Sequence, residues 1–271
     1  VDFLAQLSLT DALLLWGLCA ARVAAAFLLL PLFSQDVVPP LVRNAIFMSL
    51  GALALALQGP ALLEHHASAL PWGNAWGLAM RIGREAFIGV AIGFFWALLL
   101  WAFEAAGQII DTKIGATTAS IVDPLGGHQT SLNGALLSRL AGWVFMASGG
   151  FMLMVGSLLD SYAIWPLHGP QDLTLWPGGA RLFETGFGRL MALSLLIAAP
   201  ALLLAWTMDL GMGLINRFAP NLNLSSIASS LKSVAVIWLM WIQVSFLARL
   251  LGEQLLEEGA RLRPMLERLL Q

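Results

Sequence analysis

Six stretches of the chain carry almost no charge: residues 12–32, 45–57, 86–103, 140–159, 190–208 and 233–248, with Arg22 the single interruption. Nothing else in the sequence constrains the fold as strongly, because uncharged runs of this length must be covered by lipid or by one another. A helix crossing ~30 Å of hydrocarbon needs ~20 residues, and ~17 at the least. Residues 86–103, 140–159 and 190–208 meet that length. Residues 12–32 meet it if Arg22 is tolerated, and 45–57 and 233–248 are short. Apolar residues make up 59% of the 271 and charged residues 11%, against about 45–50% and about 25% in an ordinary soluble domain. A water-soluble enzyme could not bury that excess. A net charge of −2 also excludes a basic nucleic-acid binder, and the lone Cys19 excludes a disulfide framework or thiolate metal cluster. The expectation is an all-α, multi-helix membrane-associated protein, organised as a single membrane domain over residues 1–271 with an amphipathic tail over 252–271. The apolar runs are uneven enough that several helices are expected to pack on protein rather than lipid.

The first apolar run lacks a preceding basic region and is too long for a removable signal, so it reads as a retained helix. Two connectors, residues 58–72 and 162–179, are rich in proline, and the second carries Trp165 and Trp176, which suit a membrane interface. With six spans and both termini in the cytoplasm, basic residues would divide eight to five, a weak bias.

Several features admit both a functional and a plain structural reading. Arg22, at the centre of an apolar run, is costly in lipid and must face protein or water. It serves either a pore or inter-subunit contact, or a salt bridge inside the bundle. Gly89 and Gly93, four apart, let another backbone approach closely. If the third helix continues past Phe103, then Glu104, Gln108 and Asp111 share one face. That face is either a proton relay or a solvated stripe. Residues 115–134 are small, polar and turn-rich, with Asp123-Pro124 and Gly126-Gly127 opposing helix. Beside membrane-grade helices, such irregular backbone suits a plug or selectivity element, the alternative being an exposed connector. Asn216 and Arg217 can end a helix that Pro220 stops, forming a hairpin before Lys232. Over residues 252–271, Leu255, Leu262 and Leu269 recur at seven opposite a charged face, which fits a partner or a membrane surface.

Catalytic constellations are missing. His65 and His66 are adjacent and point apart on a helix, His128 and His168 have no ligand partner at the right spacing, and there is no phosphate loop or nucleophile elbow. No enzyme activity, metal or cofactor is expected.

The two polar segments carry a family resemblance. Glu104-x-Ala-Gly107-x-x-Ile-Asp111, Gly115-Ala-Thr117 and Asp123-Pro124-Leu-x-Gly127, followed by Asn216-Arg217-x-x-Pro220-x-Leu-Asn223 and Leu231-Lys232-Ser233, resemble the FliR/SctT family of type III secretion export-apparatus proteins. The likeness covers essentially the whole chain. It implies a one-copy, non-enzymatic subunit of an inner-membrane export gate, built with P/R-type and Q/S-type subunits and an autocleaving switch protein. Kinked helical hairpins would form a helical pore assembly, raised in part toward the periplasm, through which unfolded proteins pass. By matching position, Gly115, Thr117, Ser120, Asp123, Pro124, Gly126 and Gly127 fall in the plug that closes the pore. Glu104, Gly107 and Asp111 lie on the helix leading to it, and Arg22, Asn216, Arg217, Pro220, Asn223 and Lys232 in subunit packing. The stretches Asp111-Thr-Lys-Ile-Gly-Ala and Gly-Gly-His-Gln-Thr-Ser lean toward the injectisome branch over the flagellar one, although Ile114 stands where that branch is expected to carry Arg. The rival from another class is a proton-coupled secondary transporter using Glu104 and Asp111, which calls for inverted repeats that the sequence does not display.

Overall fold

The computed structural model describes residues 9–34, 38–64, 75–115, 121–122, 129–167, 179–218 and 224–268. The order of elements is α1 (Leu9–Leu28), a 3-10 turn (Pro31–Phe33), α2 (Pro40–Glu64), α3 (Ala75–Ile114), β1 (Ile121–Val122), β2 (Gln129–Thr130), α4 (Leu132–Ala147), α5 (Gly150–Ile164), α6 (Gly179–Phe218) and α7 (Leu224–Arg268). The protein is all-α. Its two short strands form one antiparallel ladder, Ile121 opposite Thr130 and Val122 opposite Gln129.

Among the described residues, five helices are long and apolar enough to cross a membrane: Leu9–Leu28, Pro40–Gln58, Ala75–Ile114, Gly179–Phe218 and Ala228–Leu262. The two runs that look short in the sequence belong to longer helices. The second starts at Pro40, where proline's fixed φ suits a first helical turn, and takes Arg43 into its length. Its guanidinium reaches the Phe33 carbonyl at 3.4 Å. The fourth run behaves in the opposite way. Residues 140–159 read as one span, but α4 and α5 meet there at a 69° bend. Gly149 stands at φ +80 and closes α4 in the left-handed conformation that glycine takes without strain. Hydropathy alone does not register that break.

The chain packs as two compact units, whose boundaries fall within α3, α6 and α7 and between α4 and α5. In the first, residues 1–97, 150–184 and 256–271, Leu15, Leu18, Cys19, Ala54, Leu55, Tyr162 and Leu167 form a buried cluster. Phe27 packs edge-on to Phe33 at 4.9 Å and lies 5.8 Å from both Phe47 and Phe151. The two glycines of Gly89-x-x-x-Gly93 face α1, where a Cβ on Gly89 would overlap the Arg22 carbonyl oxygen and one on Gly93 would come within 2.8 Å of the Ala26 Cα. The second unit, residues 98–149 and 185–255, joins the last turns of α3 to α4, α6 and α7.

Candidate functional site

The continuous α3 carries Glu104, Gln108 and Asp111 on one face, as the spacing requires. Their surroundings differ. Gln108 is exposed and donates to the Glu104 carboxylate at 3.3 Å, whereas Asp111 is only 2% exposed. The Asp111 carboxylate accepts the backbone N–H of Asn133 at 2.9 Å and the Asn133 side-chain amide at 2.5 Å. Both oxygens are therefore satisfied by the first turn of α4, and the face is no solvated stripe at this end. Charge-assisted bonds of this kind are roughly twice as strong as neutral ones.

Gly107 permits the contact. A Cβ there would overlap the backbone of Asn133 and Gly134. Ser131 caps α4 by accepting the N–H of Gly134 at 3.0 Å, satisfying one of the free donors at a helix start. Ser131 and Asn133 thus lie back against α3, beside Gly107 and Asp111. At the other end Gly115 terminates α3 at φ +77, and Ser229 of α7 donates to the orphan carbonyl of Ile114 at 3.2 Å. Lys113 Nζ sits 3.0 Å from Asp209 of α6, and Lys232 of α7 pairs with the other oxygen of the same carboxylate. One acid therefore ties the end of α3 to two further helices.

In the first unit the side chain of Arg22 has no exposed surface. Its guanidinium donates to Glu85 at 2.6 Å, to Ser161 at 2.9 Å and to the Trp165 carbonyl at 2.9 Å, and its plane lies 3.9 Å from the Tyr162 ring. Arg84 stands 3.6 Å from Glu85 and donates to the Pro166 carbonyl. Of the two sequence readings for Arg22, the structure gives the salt bridge inside the bundle.

Among the other residues singled out by sequence, Asn216 and Arg217 are exposed on the last turn of α6, and Lys232 is half-buried on Asp209. Thr117, Ser120, Asp123, Pro124, Gly126, Gly127, Pro220 and Asn223 lie outside the described residues. Leu255 and Leu262 of the amphipathic segment are buried within the chain itself. Sequence reasoning did not single out Asp209, Asn133 or Glu85. Asp209 carried a usable signal, since it is the first charge after the uncharged run 190–208 and such residues seldom lack a partner.

These helices and their internally satisfied charges define an all-α, multi-pass membrane protein. More particularly, the chain belongs to the family described as bacterial export proteins, family 1, which it matches over residues 13–257. It is 32% identical to the Yop proteins translocation protein T of Yersinia pestis over 224 residues, 82% of each chain. The secretion system apparatus protein SsaT of Salmonella typhimurium is 32% identical over 235 residues, 83% of this chain and 84% of the relative. The flagellar biosynthetic protein FliR of Escherichia coli is 28% identical over 224 residues, 81% and 80%. The resemblance to the FliR/SctT family of type III export-apparatus proteins is thereby established.

Proposed function

We propose that the protein is a non-enzymatic core subunit of a type III secretion export gate in the bacterial inner membrane, and that residues 115–134 plug its export pore. The observation carrying this reading is the bonding of Asn133 to Asp111. It fastens the start of α4 to the last turns of α3, the two helix ends that flank a small, polar stretch of sequence beside apolar helices. Gly107 and Gly115 allow the close approach and the sharp exit that such a segment needs.

The partners in this reading are P/R-type and Q/S-type gate subunits and the autocleaving switch protein, with unfolded secreted proteins in transit. Part of the assembly would stand toward the periplasm, its exposed apolar residues, such as Leu203, Leu210 and Trp238, covered by neighbouring subunits. Native mass spectrometry of the chain co-produced with its neighbouring genes tests the reading. A stable complex with two other small membrane proteins is expected, whereas a chain that purifies alone and takes up substrate in liposomes would support the transporter alternative.

A further inference from the structure

One face of α5 and one glycine of α7, both in the first unit, enclose a groove of about 200 Å³ lined by Met152, Leu153, Gly156, Ser157, Asp160, Ile164 and Gly259. The α5 residues follow at helical spacing and are apolar except for two. Ser157 is already satisfied, since Trp96 Nε1 donates to it at 3.0 Å and it donates to the Met154 carbonyl at 2.8 Å. Asp160 is exposed, and among the described residues no cation pairs with it. The groove floor is open, since a Cβ on Gly156 would meet nothing within 4 Å, and Met152 stands 73% exposed at one edge.

A carboxylate on an apolar helix is expensive in lipid unless it meets a counter-charge, and Glu85 and Asp111 each meet a partner on another helix. Small residues at a groove floor let a second helix approach. We infer that this groove is a docking site for an apolar helix of a neighbouring gate subunit, and that a lysine or arginine on that helix pairs with Asp160. The volume suits one long side chain laid over Gly156, its stem against Met152 and Leu153 and its cationic head at Asp160. An anion with no cation beside it among the described residues selects that partner over an anionic lipid, which it would repel. The inference rests on the export-gate reading, since it needs a neighbouring subunit.

The test uses the full chain co-produced with its neighbouring subunits and carrying a photoreactive residue at position 152. A crosslink to one neighbouring membrane subunit is expected. Asp160→Lys should reduce its yield about tenfold or more, the scale for breaking a desolvated charge pair, and an acidic replacement of the facing basic residue in that neighbour should restore it. Gly156→Leu should abolish the crosslink while leaving the amount of protein unchanged, because the added side chain enters open space. A crosslink to phospholipid only, or one to a subunit that is indifferent to Asp160 and Gly156, would overturn the inference while the export-gate reading stood. A wild-type chain that captures no subunit at all would overturn both.

Discussion

Asn133 offers two donors to the carboxylate of Asp111, its backbone N–H at 2.9 Å and its side-chain amide at 2.5 Å, across 22 residues of sequence. The pair joins the two ends of the α3–α4 connection and so offsets part of the entropy of closing it. Removing either side chain leaves a buried polar partner unsatisfied. Asp111→Ala is expected to cost about 1.5–3 kcal/mol, and Asn133→Ala less, because the backbone N–H still reaches Asp111. Thermal unfolding of the purified complex, with limited proteolysis between residues 115 and 131, measures both.

Glu85→Ala strands the buried cations Arg22 and Arg84 and is expected to cost about 3–5 kcal/mol, whereas Arg22→Ala should cost less because Arg84 still stands 3.6 Å from Glu85. The double change Arg22→Met with Glu85→Leu should cost less than Glu85→Ala, since it removes one of the two cations that Glu85 serves. Folded protein recovered from membranes, followed by its melting in detergent, separates the three variants. Equal losses in all of them would contradict the pairing.

Alanine at Gly89, Gly93 or Gly107 places a methyl group against backbone atoms of a facing helix, whereas alanine at Gly17, Gly77 or Gly188 meets open space. The first three are expected to lose about 1–3 kcal/mol through overpacking, and the second three to be neutral or slightly stabilised through helix propensity. The comparison needs only thermal shifts of six variants.

Lys113 and Lys232 share Asp209, which is over a third exposed. Lys113→Gln removes one partially solvated pair and is expected to cost about 0.2–1 kcal/mol. Asp209→Asn leaves two lysines facing each other and should cost more. Raising the salt concentration should narrow the difference between wild type and Lys113→Gln, because screening weakens the same pair. Melting temperatures at low and high salt decide it.

How much of this was legible in the sequence depended on range. The continuation of α3 past Phe103, the closeness permitted at Gly89 and Gly93, and the end of α6 near Arg217 follow from periodicity and local backbone chemistry, and the structure has them. The bend at Gly149 was hidden because hydropathy treats Gly149 and Gly150 as acceptable members of an apolar run, while the backbone treats them as a stop. The partners of Arg22 and Asp111 were hidden for another reason. Glu85, Ser161 and Asn133 lie 63, 139 and 22 residues from the groups they satisfy, and no local pattern encodes such pairings. Arg22 announced that it needed a partner without saying which.

The most direct test of a plugged export pore is the permeability of cells carrying the assembled complex after deletion of residues 115–127. The complex should still form, held by its helices, and the membrane should leak ions or a small dye. A membrane that stays tight around a fully assembled deletion complex would contradict the assignment of this segment as the plug.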